Sequence, residues 1–244
     1  MIEISYNLRI QNLYQSGTGT GLPGYVDEFT LRDPQGFAYL PASHIKGVVR
    51  QNCYRLLAVQ ERTGLICKSQ QTWQSGETPE ATDYCIMQNQ QACPMCALFG
   101  SPFLPARLLF SSARMEADFR DKAEKILWEA NDSFPRAQAS IDLGTRRARP
   151  HHLFSSEAVC PATPFIGKVQ LDLDLRQEAA QWQAGLAIAA LLFTRRIGGK
   201  RSRGLGRCRF EIELDTPDGL LKKCLLSWLD GDKGGSGEKT TNLH

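Results

Sequence analysis

Two stretches of the chain carry cations at spacings that suit a polyanion. In LPASHIKGVVR (40–50), Lys46 and Arg50 stand four residues apart, so a helix would put both on one face. Like charges there repel by about 0.2–0.5 kcal/mol until an anion relieves them. Ser43 and the free N–H groups of the first helical turn would add backbone dipole to the same site. In RRIGGKRSRGLGRCR (195–209), Arg195, Arg196, Lys200, Arg201, Arg203, Arg207 and Arg209 occur without one acid. Gly198, Gly199, Gly204 and Gly206 would let main chain approach a polyanion while the cations bind its phosphates. A solvated cationic face and a glycine-rich turn are the plainer alternatives, and both stay open on these residues alone.

A third group suits a metal. Cys93 and Cys96 form a C-x-x-C knuckle, with Cys85 eight residues before it and Cys67 earlier in the same region. Four thiolates in a segment without its own apolar core suit tetrahedral Zn²⁺, which would fold the segment by tying distant positions together. Cys53 is the substitute for Cys67, and free thiols or a redox pair are the alternative. Cys160, Cys208 and Cys224 look structural. Asp27 follows the glycine-rich SGTGTGLPG (16–24). A carboxylate so placed can ligate Mg²⁺ together with phosphate oxygens, or position an attacking hydroxyl; otherwise it is solvated or caps a turn. Asp33, in Asp-Pro-Gln-Gly, has the form of a turn residue. His151 and His152 would point to opposite sides of a strand and so imply no shared site.

These groups need elements to hold them. Ile2, Ile4, Tyr6, Leu8 and Ile10 alternate with polar residues, the period of a half-buried strand. A helix capped by Ser43 would run to about Arg62, with Ile45, Val49, Leu56 and Leu57 as its apolar stripe. Residues 64–103 have loop character and contain the four cysteines. Arg107 to Ala113 resembles a buried strand, and Met115 to Ala130 is ambiguous. Residues 131–164, with four prolines and with Arg146, Arg147 and Arg149 among them, suit a projecting excursion. Phe165 to Leu175 alternates as a strand, Gln177 to Thr194 has helical spacing, and Arg207 to Leu214 alternates again. Strand, helix, strand, twice over, is the order of the ferredoxin-like α+β sandwich, an architecture shared with RNA-recognition folds. The tail 231–244 is almost without apolar residues and should be disordered.

Composition bounds the rest. The chain has 244 residues, 42% hydrophobic and 23% charged, enough for one domain with insertions and too apolar for a disordered protein. The formal charge of +3 would not itself nominate a polyanion binder, so the clustering of the cations carries that reading. No stretch approaches the roughly 20 apolar residues that span a bilayer, and no charged-then-apolar leader opens the chain. A cytoplasmic protein without membrane contact is expected, and in a reducing compartment eight cysteines argue against a disulfide framework.

LPASHIKG and the glycine-rich basic loop together resemble the paired signatures of RAMP-superfamily proteins, whose first helix commonly begins IPGSSLKG. The chain departs at Ala42 and His44, where the family usually has Gly and Ser. YVDEFTLRDPQG (25–36) resembles the segment that, in target-cleaving backbone subunits of type III CRISPR complexes, presents an aspartate at the position of Asp27. SIDLGTRRARPHHLF (140–154) resembles the hairpin, or thumb, that crosses the guide–target duplex in those subunits. GTGTGLPGYVDEF is closer to the type III-D lineage than to the Csm or Cmr ones. The resemblance implies one ferredoxin-like RAMP domain over 1–230, with a zinc-binding insertion at 64–103 and a thumb at 131–164. It also implies a guide-RNA-binding subunit that stacks beside other RAMP subunits and cleaves guide-paired target RNA in a metal-dependent step at Asp27. RNA contacts would come from Ser43, Lys46, Arg50, Arg146, Arg147, Arg149, Arg196, Gly198, Gly199, Lys200, Arg201, Arg203 and Gly204. Zn²⁺ would sit on Cys67, Cys85, Cys93 and Cys96, and Mg²⁺ or a similar ion at the catalytic position. A non-catalytic structural subunit, or a guide-maturation ribonuclease of the same superfamily, are the rival expectations.

Overall fold

The computed structural model describes residues 2–19, 21, 26–85, 92–116, 133–159, 164–214 and 218–230. Its organising element is β1, Ile2–Ile10, in which Ile4, Tyr6, Leu8 and Ile10 are buried while Glu3, Ser5, Asn7 and Arg9 face solvent. The period-2 pattern therefore makes a sheet with one dry face. β6, Pro164–Leu171, pairs antiparallel along one edge of β1, and β7, Cys208–Ile212, along the other. β2, Leu108–Phe110, and β3, Arg114–Met115, both pair with the far edge of β6, giving the order β2-β6-β1-β7.

Two helices supply the apolar side chains that meet this face. α1, Ala42–Val59, contributes Ile45, Val49, Cys53 and Leu57, and it packs against α4, Glu178–Phe193. From Ala184 onward α4 has no polar face: Ala184 to Leu191 are buried without a break. A helix apolar all round must be covered all round. The cover on one side is α5, Leu220–Asp230, a helix that the sequence reading did not anticipate. Leu221, Cys224 and Trp228 form its buried stripe.

The cysteine segment is less loop-like than expected. It holds α2, Lys68–Ser75, and α3, Pro94–Phe99, with two short 3-10 turns. Met95, Leu98 and Phe99 of α3 join the main core, so the segment has no need of a core of its own. β4, Ser133–Ile141, and β5, Ala148–Val159, form a separate two-stranded antiparallel sheet.

Several boundaries differ from the sequence reading. α1 begins two residues earlier than a Ser43 cap requires: Pro41 stands at the cap position, and Ser43 lies exposed inside the first turn without a side-chain capping bond. The helix ends at Val59, short of Arg62. The strand expected from Arg107 to Ala113 is three residues long, and Leu109 within it is exposed. The ambiguous segment is described only through Glu116, and Cys160 and the tail 231–244 lie outside the described residues. No helix among the described residues is long and apolar enough to cross a membrane.

The contact between α4 and α5 depends on Gly185, where an added methyl group would overlap the Cys224 carbonyl oxygen and the Trp228 Cβ. Alanine is the better helix former by about 1 kcal/mol. Overpacking here should outweigh that gain, so Gly185→Ala is expected to lower stability by about 1–3 kcal/mol in chemical denaturation. A stabilised variant would contradict this packing.

Candidate nucleic-acid interface and cysteine cluster

The glycine–arginine loop is tied down by main chain. Gly199 N–H donates to the Gln15 carbonyl at 2.8 Å, Ile197 N–H to Gly206 O at 2.8 Å, and Gly206 N–H to Leu13 O at 2.8 Å. Asn12 accepts from Arg207 N–H at 2.7 Å and donates to Gly204 O at 2.5 Å. Two of the glycines are required by this course. Gly198, at φ 90°, passes so close to Gln15 O that a side chain would collide with it, and Gly206, at φ 71°, does the same against Ile197 O. Lys200 holds φ 54° without being glycine, a conformation that surrounding contacts must enforce.

His44 joins this loop to α1. Its Nε2 accepts the Gly198 N–H at 2.8 Å. Burial, and then the nearby Arg201 charge, lower its pKa from the usual histidine value, which keeps the ring neutral and able to accept. The amides of Gly198 and Gly199 are thus already used within the chain, and so are three at the start of α1. Ala42 N–H donates to Ser112 Oγ, and the His44 and Ile45 N–H groups donate to Pro41 O. Contrary to the sequence expectation, those amides are not free for a ligand, and side-chain cations must carry any phosphate contact.

Those cations line a groove between α1 and the loop, made of two adjoining hollows that share Val48 and Arg201. One part is formed by Ser43, His44, Gly47, Arg50, Gln51 and Arg201. It continues past Asn52, Arg55, Arg195, Arg196 and Lys200. No lining residue is acidic, so the field in the groove has one sign. Lys46 instead lines an adjacent cleft with Arg50, beside the cysteine segment. Arg55 was not singled out from the sequence, because nothing in its spacing sets it apart from other surface cations.

Three loop cations have internal partners. Lys200 pairs with Glu28 at 3.3 Å and lies 5.0 Å from the Phe154 ring centroid. Arg203 lies over the same ring at 5.4 Å and donates to Gln138 Oε1. Arg196 donates to Arg201 O at 2.5 Å. Phe154 and Gln138 belong to the β4–β5 hairpin, which is therefore clasped to the loop. Arg146, Arg147 and Arg149 are at the hairpin tip, where Arg147 and Arg149 line a separate shallow cleft, so the structure does not bring them to the groove.

Asp27 is held by that hairpin. Its Oδ2 accepts from Ser155 N–H at 2.6 Å and Ser155 Oγ at 3.2 Å, and its own N–H donates to the Ser155 carbonyl at 3.2 Å. The segment beyond it runs along β5, with Glu157 N–H donating to Glu28 O at 2.9 Å. Glu157, unremarked in the sequence, locks this arrangement. It accepts from Arg32 at 2.7 Å, from Thr30 N–H at 2.9 Å, and from Ser133. Burial alone would raise its pKa, but those donors outweigh it and lower the value, so the carboxylate is ionised. Asp33 is a turn residue: its Oδ1 accepts from Gln35 and Phe37 N–H, and Arg114 pairs with its Oδ2 at 3.3 Å.

The four cysteines do converge. The Sγ atoms of Cys67, Cys85, Cys93 and Cys96 lie within 4.8 Å of one another, and Cys67 and Cys96 are 3.5 Å apart. Four thiolates around one tetrahedral ion at the usual metal–sulfur length are about 3.8 Å apart, whereas a disulfide needs about 2.0 Å. The set fits a metal ion and not a disulfide. Cys93 and Cys96 bracket the start of α3, where Cys93 Sγ accepts the Cys96 N–H at 3.4 Å and Cys85 Sγ the Cys93 N–H at 3.5 Å. Without an ion, the Cys93 and Cys96 thiols donate to Cys67 and hold it far below the usual thiol range. Cys93 is pushed up to about 11 by the same bond, and Cys96 further. Cys53, the substitute ligand, is instead buried on α1, where it donates to Leu186 O at 3.9 Å.

Known proteins give these features a family context. The family model described as the RAMP superfamily matches residues 13–209. No curated protein matches the chain significantly. Among solved structures, a chain in the cryo-EM structure of the Type III-B Cmr-beta bound to cognate target RNA is similar, with 10% identity and a TM-score of 0.56. That match covers 92% of this chain and 99% of the other. A chain of the apo-state Type III-B Cmr-beta structure gives 11% identity and a TM-score of 0.54, over 88% and 98%. At such identities the likeness is one of fold.

The His44 contact makes the fold sensitive to pH. The unfolded chain protonates this ring near about pH 6.5, and the folded chain only at a lower pH. The stability that neutral His44 contributes is therefore complete above about pH 6.5 and is lost as the pH falls below it. His44→Gln keeps an acceptor that does not titrate, and should flatten the fall in melting temperature between pH 7 and 5. An unchanged pH profile would remove His44 from this role.

Proposed function

The chain belongs to the RAMP superfamily, and from that premise we propose that it is a guide-RNA-binding subunit of a type III CRISPR effector complex that also cuts the paired target RNA. The observation that carries the binding reading is the groove between α1 and the loop, lined by Arg50, Arg55, Arg195, Arg196, Lys200 and Arg201 without an acid. A strand of phosphates would neutralise the repulsion among these cations, and binding of this kind is strongly salt-dependent. The likeness to chains of Type III-B Cmr-beta structures, one of them bound to target RNA, supports RNA and neighbouring RAMP subunits as partners. The strand order β2-β6-β1-β7, with α1 and α4 as crossovers, supports a ferredoxin-like domain over 1–230. On this reading 64–103 is its insertion and the β4–β5 hairpin its thumb, with Arg146, Arg147 and Arg149 at the tip for a second RNA surface. A place in the cytoplasm follows from the assembly.

Asp27 is the catalytic residue in this reading. Both hydrogen bonds that Ser155 donates to the carboxylate fall on Oδ2, which fixes it beside the hairpin. Among the described residues the only close set of three or more metal-ligating groups is the cysteine cluster. A Mg²⁺ ion at Asp27 would therefore take its other ligands from RNA phosphate and water, as this ion commonly does. The test is cleavage of a guide-complementary RNA by the assembled complex, with Mg²⁺ or chelator. Asp27→Ala should cut at least on the order of 100-fold more slowly with target binding retained. Unchanged cutting would leave the chain a guide-holding scaffold.

The cysteine cluster is assigned Zn²⁺, the ion best matched to four thiolates in a tetrahedron. Elemental analysis of the purified chain should find about one zinc per molecule, and Cys93→Ser should lose it together with a lower melting temperature. A zinc-free protein of full stability would sink this assignment.

A further inference from the structure

The cleft that Lys46 shares with Arg50 has a volume of about 390 Å³ and lies where α1 meets the cysteine segment. Its other walls come from the segment itself: Gln70 on α2, Tyr84 next to Cys85, and Phe99 at the end of α3. It contains two cations four residues apart and no acid. Burial, and then Arg50, lower the pKa of the Lys46 ammonium, as expected where two cations share a space with no anion in it.

Gln70 connects this cleft to the sulfur cluster. The residue is only 3% exposed. Its Oε1 accepts from Arg50 Nη2 at 2.6 Å and from Arg50 Nε at 3.2 Å, while its Nε2 donates to Cys96 Sγ at 3.5 Å. A buried amide has two orientations, and its partners decide between them. A metal-bound cysteine sulfur is a thiolate, which accepts and cannot donate, so it fixes the NH₂ end toward Cys96. The oxygen must then face Arg50. The opposite orientation would set NH₂ against guanidinium and a carbonyl oxygen against a thiolate, unfavourable at both ends.

We infer that this cleft is a subsite for one phosphate of the bound RNA, and that the metal-loaded cysteine cluster positions its Arg50 through Gln70. The subsite rests on the RNA-binding reading and deepens it: Arg50 lines both the groove and the cleft, so its placement governs whether the phosphate path can turn from one into the other. The cluster then shapes the RNA surface as well as holding the insertion together, by the outer-shell route through which groups around a metal are usually ordered.

The test measures binding of the full chain to single-stranded RNA over a salt series, for wild type, Arg50→Ala, Gln70→Met and the double variant, with metal content recorded for each. Arg50→Ala should weaken binding about tenfold and reduce the slope of log K against log salt by about 1. Gln70→Met should retain its metal and lose a similar factor, and the double variant should be no weaker than Arg50→Ala. Chelation should weaken wild type by more than it weakens Gln70→Met. Additive losses in the double variant, or equal further loss on chelating wild type and Gln70→Met, would overturn the relay. Wild-type affinity and slope in Arg50→Ala would overturn the subsite alone, provided Arg201→Ala in the groove still weakens binding. If neither arginine matters, the RNA-binding reading itself fails.

Discussion

Seven cations within the fifteen residues 195–209 repel one another, and a loop of that composition has no side-chain reason to adopt a single shape. Its shape comes from the main chain. Hydrogen bonds from Gly199, Gly206 and Arg207 fasten it to residues 12–15, just beyond the end of β1, and the Gly198 amide fastens it to His44 on α1. Because β1 lies at the centre of the sheet and α1 packs in the core, the loop inherits the rigidity of both. The groove therefore exists before any ligand arrives, and the electrostatic cost of gathering its cations is met when the protein folds. A partner that neutralises them recovers that cost, which favours binding by a prearranged surface.

The same loop orders the hairpin. A two-stranded sheet is barely stable alone, and β4–β5 gains its support at several points. Phe154 lies under Lys200 and Arg203, Glu28 reaches Lys200, and Glu157 gathers Arg32, Thr30 and Ser133. Asp27 sits between these fastenings and is paired with Ser155 of β5. Cationic groove and candidate catalytic carboxylate are consequently parts of one hydrogen-bonded unit, and a shift of the loop would be felt at Asp27 through Lys200 and Glu28.

What could be read from the sequence was whatever expresses itself as a period or a spacing. β1 and β7 were legible because one face of the sheet is dry and the other wet, and α1 and α4 because apolar residues recur at helical intervals. The four cysteines were legible because metal ligation needs few residue types. α5 was overlooked although Leu221, Cys224 and Trp228 carry a helical stripe; its partner α4 is apolar on every side from Ala184 onward, and nothing local says which neighbour covers it. The Ser43 cap failed because Pro41 can begin a helix as well, and a serine two residues later competes for the same reading. Gln70, Glu157 and the acceptor role of His44 depend on partners 20 to 154 residues away. No local pattern encodes such distances.

Helix α3 shows why the cysteine segment cannot be treated as an appendage. Cys93 and Cys96 bracket its first turn, while Met95, Leu98 and Phe99 enter the main core from the same six-residue helix. So short a helix is not stable by itself; it needs both the sulfur cluster on one side and the core on the other. Disrupting the sulfur cluster would loosen α3, and α3 packs against α1, the helix that carries His44, Lys46 and Arg50. Sulfur cluster, core and cationic surface thus share a wall one helix thick. A change at the sulfurs reaches the cationic side of α1 by packing as well as by hydrogen bond, and in that geometry the cluster is coupled to the groove as much as to the scaffold.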